Sequence, residues 1–224
     1  MSKFYAKILK LGVLPLMDKM MKTRISYMYN QIRKLERLEP KEIEVWQNER
    51  LQKLVEHAYN NTAYYKKVFT SAGILPKDIR KREDLSQLPV LTKSIILENF
   101  SDIVPKNIDC LPHKISSTGG STGKPLRFLL DNDSWSYSTA NKIFNWEKLD
   151  YNYGDQYIAI GSTSLFVNKK KSIKHELYYR LNGKIGLNGV NMSNETCSDY
   201  VNIIQKKRIR FIYGYASSIY LLAK

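Results

Sequence analysis

Apolar positions in the first forty residues recur at helical spacing. Met21, Ile25, Met28, Ile32 and Leu35 are separated by steps of four and three and fall on one stripe, with Lys22, Arg24, Arg33 and Lys34 mostly off it. The pattern predicts helix over this stretch, docked by that stripe on its own domain. A surface helix lying on anionic lipid is the alternative reading of the same residues. Pro15 marks a helix start or break. A second helix is expected from near Trp46 to Tyr59, with Leu51, Leu54, Val55 and Ala58 as its buried face. The segment "NNTAYYKKVFTSAG" continues as a short helix that Gly73 ends. Pro76 and Pro89 punctuate the connections that follow. Thr92 is placed to N-cap a helix carrying Ile95, Ile96 and Phe100.

From Lys114 onward the period changes. "KISS" and "LRFLL" read as strands on either side of a run of small residues. Asp133 to Lys148 reads as a helix, "QYIAI" and "KIGL" as strands, Glu195 to Lys207 as a helix, "RFIYG" as a strand and "SSIYLLAK" as the start of a helix. Alternating strands and helices predict an α/β fold with a mixed, mainly parallel sheet behind a helical preface. The expected divisions are an amphipathic helical segment over 1–40, the helical part of a large domain over 41–113, and an α/β nucleotide-binding part over 114–224. The last run carries no C-cap signal, so further sheet is expected beyond Lys224.

Composition supports a packed globule, with 43% apolar and 12% aromatic residues. A formal charge of +15 favours an anionic partner: nucleotide, CoA, phospholipid or nucleic acid. The densest clusters, Lys169 to Lys171 and Lys206, Lys207, Arg208 and Arg210, read as solvated basic faces. No RNP1 or helix-turn-helix pattern occurs, so no specific nucleic-acid partner is expected, while weak peripheral membrane contact through the basic N-terminal helix stays open. Cys110 and Cys197 match neither a zinc ribbon nor a CxxC motif and read as buried free thiols in a reducing compartment. His57, His113 and His175 are scattered, which predicts no metal site. No apolar run is long enough for a transmembrane helix. Lys10 interrupts the apolar part of "KFYAKILKLGVLPLM" and no cleavage site follows, which argues against a signal peptide and for a cytoplasmic protein.

The segment that carries chemistry is "SSTGGSTGKPLRFLL". Thr118, Gly119, Gly120, Ser121, Thr122, Gly123 and Lys124 form a dense small-residue loop between two strands. Its glycines permit close backbone approach, so that successive N–H groups can converge on an anion. The hydroxyls of Thr118, Ser121 and Thr122 add donors, and Lys124 adds a point charge suited to terminal phosphates. A Walker A loop is excluded, because Gly119 and Gly123 are too close and Lys124 is followed by Pro125 instead of a hydroxyl residue. An ordinary glycine-rich turn is the bland alternative.

At these residues the sequence resembles the phosphate-binding motif of adenylate-forming enzymes, whose usual form is Thr/Ser-Ser-Gly-Thr-Thr-Gly-Lys-Pro. Gly120, Thr122, Gly123, Lys124 and Pro125 match it, and Ser121 replaces a Thr conservatively. Gly119 stands where Ser is common, which removes one hydroxyl contact. The upstream segments "LQKLVEHAYNNTAYYKKVFTSAGILPKDI" and "DLSQLPVLTKSIILENF" are similar to the phenylacetate-CoA ligase and CapK-like capsular polysaccharide branch of that superfamily. So is "YGYASSIYLLAK", and the resemblance spans about residues 46 to 224.

The resemblance implies ATP-dependent activation of a small-molecule carboxylate as an acyl-adenylate, with transfer to CoA or another nucleophile and Mg²⁺ bridging phosphate oxygens. The setting it implies is aryl-CoA formation or capsule biosynthesis. It places Thr118 to Lys124 on the nucleotide and makes Tyr213, Gly214, Tyr215 and Ser217 candidates for a substrate-pocket wall, with sheet-end packing as the other reading. Lys93 is read as a surface residue at a helix start. The family's later Tyr-Gly-x-Thr/Ser-Glu motif is not matched, since "YGYAS" lacks the Glu. No complete catalytic set and no metal ligand is therefore expected within these residues. A non-catalytic phosphate-binding module is the competing expectation.

Overall fold

The computed structural model describes residues 3–118, 125–161 and 173–224. They divide into two compact units, one formed by Met1–Tyr29 and Tyr137–Lys224, the other by Asn30–Ser136. No helix among the described residues is long and apolar enough to cross a membrane.

The amino-terminal residues are helical, as expected, but divided into segments. Helix α1 (Lys3–Ile8) runs through a π-helical turn (Leu9–Val13) into α2 (Leu14–Met21), with Pro15 in the first turn of α2. Lys22 then adopts a left-handed conformation (φ 54°) and α3 (Ile25–Leu35) starts afresh. Asp18 is the reason. Its carboxylate accepts the backbone N–H groups of Ile25 at 2.9 Å and Ser26 at 2.8 Å, the Thr23 hydroxyl at 2.7 Å and the Ser26 hydroxyl. A side chain from one helix thus satisfies the orphan donors of the next. Ile25 and Ile32 are buried, as the stripe predicts.

Helix α4 (Pro40–Asn61) begins on a Glu39–Glu42 capping box, with the Glu42 carboxylate accepting the Glu39 N–H at 2.8 Å. Thr62 ends it and caps α5 (Ala63–Ala72), its hydroxyl oxygen accepting the Tyr65 N–H at 3.2 Å. Val55 packs with Phe69 and Ile79, flanked by Leu51, Tyr59 and Tyr65. Leu54, expected on this face, is 64% exposed. The inward row is Leu51, Val55 and Tyr59 at steps of four, and Leu54 lies to one side of it. Thr92 caps α6 (Lys93–Glu98) as expected, accepting the Ile95 N–H at 3.3 Å. The cysteines are not buried: Cys110, in a 3₁₀ turn at Ile108–Cys110, is exposed, and Cys197 is half-buried. Both are free thiols.

Strands β1 (His113–Ser117) and β2 (Arg127–Asp131) form an antiparallel hairpin in which His113 pairs with Asp131 and Ser117 with Arg127. Helix α8 (Asn132–Glu147) follows β2 at once, after α7 (Phe100–Ile103) earlier in the chain. The second sheet is parallel: β3 (Tyr157–Gly161), β4 (Lys184–Asn188) and β5 (Phe211–Gly214) in the order β4-β3-β5. Between them lie α9 (Ile173–Leu181) and α10 (Asn194–Lys207), and α11 (Ala216–Ala223) follows β5. Every residue of β3 is buried, as a central parallel strand requires. Tyr151, Tyr157 and Ala159 form a core cluster with Trp146 and Phe211.

Candidate functional site

The phosphate-loop residues Gly119, Gly120, Ser121, Thr122, Gly123 and Lys124 lie outside the described residues. Their flanks are defined. Thr118 donates its backbone N–H to the Leu126 carbonyl at 2.9 Å, and Leu126 returns its N–H to the Thr118 hydroxyl oxygen at 3.0 Å. The hairpin is thereby closed one step past the last strand pair, Ser117 with Arg127. The Thr118 oxygen is engaged here as an acceptor. Below the closure, Ile115 is 64% exposed and Phe128 is 38% exposed. Lys114 lies over the Trp135 ring at 5.7 Å. The main-chain N–H of Ser134 is held by Asp131 at 2.5 Å, which starts α8 directly off the hairpin.

The second candidate group sits at the carboxyl ends of the parallel strands. From β3 the chain crosses to β4 on one side and then to β5 on the other, so right-handed crossovers put α9 and α10 on opposite faces. That reversal is a topological switch point, where open α/β sheets place ligands beyond the strand ends. Gly214 closes β5 there. A Cβ on Gly214 would lie 2.4 Å from the Ile160 carbonyl oxygen, so no side chain fits. Gly189, just past β4, is also close-packed: its Cβ would meet the Ser218 hydroxyl at 2.8 Å. Ser218, not Ser217, is the buried serine of α11; it is 2% exposed and donates to the Gly189 carbonyl at 2.9 Å. Tyr215 donates its N–H to the Ile160 carbonyl at 3.3 Å. Tyr213 and Tyr215 are 55% and 49% exposed, and Ser217 is exposed. Sequence reasoning passed over Ser218, although it shares an inward helical face with Leu222.

Lys142, on α8, was missed as well. Its ammonium donates to the Tyr157 hydroxyl at 3.3 Å and lies 5.0 Å, 5.2 Å and 6.0 Å from the ring centres of Trp146, Tyr157 and Tyr213. Burial, reinforced by the nearby charge of Lys184, lowers its pKa to about 8. Burial also pushes the Tyr151, Tyr153, Tyr157 and Tyr178 hydroxyls well above the ordinary tyrosine range. The basic residues Lys207, Arg208 and Arg210 line a cleft of about 310 Å³ with Gly154, Gln156 and Phe211. That cleft is at the amino ends of β3 and β5, opposite the strand ends that carry Tyr213 and Tyr215. Lys93 is exposed at the start of α6.

Solved structures share this fold. The chain superposes on 2-hydroxyisobutyryl-CoA ligase in complex with 2-HIB-AMP and CoA, with a TM-score of 0.61 and 17% identity, covering 83% of this chain and 40% of that one. An open conformation of the same ligase gives a TM-score of 0.60 at 15% identity, over 83% of this chain and 43% of that one. The mixed helical and sheet architecture is therefore the fold of the superposed part of that solved ligase. Among curated proteins, the phenylacetate-coenzyme A ligase of Aromatoleum evansii is 30% identical over 116 residues, 49% of this chain and 26% of the relative. That of Escherichia coli strain K12 is 32% identical over 112 residues, 48% of this chain and 23% of the relative. The matched region thus spans about a quarter of the length of these relatives. No protein-family model matches the chain.

Proposed function

We propose that this chain carries the phosphate-binding hairpin and a substrate-pocket sheet of an ATP-dependent acid–CoA ligase that works through an acyl-adenylate. One observation carries the reading: the reciprocal Thr118–Leu126 pair closes β1 on β2 at the two ends of the Gly119–Lys124 segment. The likeness to phenylacetate-CoA ligases supports it.

In this scheme the backbone N–H groups and hydroxyls of 118–123 hold the ATP phosphates, and Lys124 neutralises charge on the departing pyrophosphate. The substrate carboxylate attacks the α-phosphorus, pyrophosphate leaves, and CoA thiol then takes the acyl group from AMP. The chain's contribution is position and charge. Among the described residues no three His, Cys, Asp or Glu side chains converge on a metal site. The setting is cytoplasmic, where ATP and CoA are supplied.

The acid we propose is an aryl or arylacetic acid, lodged at the switch point against Tyr213, Gly214, Tyr215 and Ser217. The two half-exposed tyrosine rings there offer an apolar wall with a polar edge. The resemblance to capsule-biosynthesis proteins makes a capsule-linked acid the second candidate. Non-hydrolysable acyl-sulfamoyl adenosines test this. Phenylacetyl-sulfamoyl adenosine should raise the melting temperature of the chain more than the 2-hydroxyisobutyryl analogue does. Equal absence of effect from both, with the chain folded, contradicts the reading.

A further inference from the structure

The amino-terminal helix is apolar on two sides. Ala6, Leu9, Leu14 and Met17 are buried and tie the helix to its own unit. Lys10 adds an ion pair to Glu147 at 2.7 Å and a hydrogen bond to the Tyr29 hydroxyl at 3.1 Å. One apolar face is enough to dock a helix. Yet a second row faces outward: Phe4, Ile8, Leu11 and Leu16 are 74%, 47%, 64% and 67% exposed. The first three are spaced by four and three, and the π turn at Leu9–Val13 keeps the five-residue step to Leu16 near the same side. Lys7 and Lys19 are exposed on this helix.

Charge decides what covers the row. Residues 1–29 contain six Lys and Arg and one acid, Asp18. Asp18 is 7% exposed and is used on the first turn of α3, so this stretch presents no exposed carboxylate. A second copy meeting this face across a two-fold axis would set lysine against lysine. An anionic lipid leaflet takes both features together, with the apolar side chains entering the acyl boundary and the ammonium groups meeting phosphates.

We propose that the outward face of the amino-terminal helix is an interfacial docking surface for a membrane leaflet rich in anionic phospholipid. It is independent of the ligase reading, because no residue of the hairpin or the switch point takes part.

The test is co-sedimentation of the 224-residue chain with phosphatidylcholine vesicles and with vesicles containing phosphatidylserine. Binding should require phosphatidylserine, weaken with salt, and fall at least tenfold in the double variant Phe4→Ser, Leu11→Ser with its melting temperature unchanged. Should that variant fail to fold, Leu11→Trp supplies the readout: its emission should shift to the blue on addition of anionic vesicles. A folded chain that ignores these vesicles, undiminished binding by the folded double variant, or an unshifted Leu11→Trp emission overturns the proposal. So does lipid-free self-association that the double variant abolishes, which would assign the face to a second copy.

Discussion

Thr118 and Leu126 hold each other twice, N–H to carbonyl at 2.9 Å in one direction and N–H to hydroxyl oxygen at 3.0 Å in the other. The second bond is made by a side chain, so it can be removed without disturbing the strands. Thr118→Val keeps the β-branched shape and deletes the acceptor, at a cost of about 0.5–1.5 kcal/mol. Hydrogen exchange at the Leu126 amide should accelerate in Thr118→Val and stay at the wild-type rate in Thr118→Ser. An unchanged rate in Thr118→Val would mean that the hydroxyl does not close the hairpin.

Gly214 is required by space. Its partner across the sheet is Ile160, whose carbonyl oxygen would lie 2.4 Å from an added Cβ. Gly214→Ala should therefore destabilise by about 1–3 kcal/mol, since β3 and β5 must separate to admit the methyl. Gly12→Ala is the control: nothing lies within 4 Å of its Cβ, so the added methyl meets no clash. Urea midpoints should fall for the first and hold for the second.

Lys142 gives the fold a pH signature. Its pKa drops from 10.5 in the open chain to about 8 in the fold, through burial first and Lys184 second. Between those values the unfolded chain binds a proton that the folded chain does not, so stability rises with pH across that window. Below about pH 8 the cost of the buried cation is fully present, partly offset by the rings of Trp146, Tyr157 and Tyr213. Lys142→Met should stabilise the chain by about 1–2 kcal/mol at neutral pH, and its advantage should shrink by pH 10. An advantage equal at both pH values would show that the ammonium is not held in the cage.

Much of the fold was legible because the signals are local. Alternation of strand and helix over residues 114–224 gave the α/β class, and Thr92 gave a cap that the structure reproduces. What escaped depends on side chains acting at a distance along the chain. Asp18 gathers the donors of Ile25 and Ser26, and no period in the sequence reveals the break it imposes. Lys142 carries no signal within the stretch read as a helix, because the rings around it include Tyr157 and Tyr213 from two strands. At the strand ends, the sequence marked Tyr213, Gly214, Tyr215 and Ser217, whereas the buried hydroxyl is that of Ser218, one residue further on. Gly189, its acceptor, carries no motif at all.

The central claim is that the segment following Thr118 binds phosphate through Lys124. Isothermal titration of the 224-residue chain with pyrophosphate and with ATP addresses it directly. Both should bind the wild-type chain, and Lys124→Ala should weaken each by about 1.5–3 kcal/mol through loss of a charge-assisted contact, with the thermal melt unchanged. Absence of binding by the folded wild-type chain, or equal affinity in Lys124→Ala, would contradict the account.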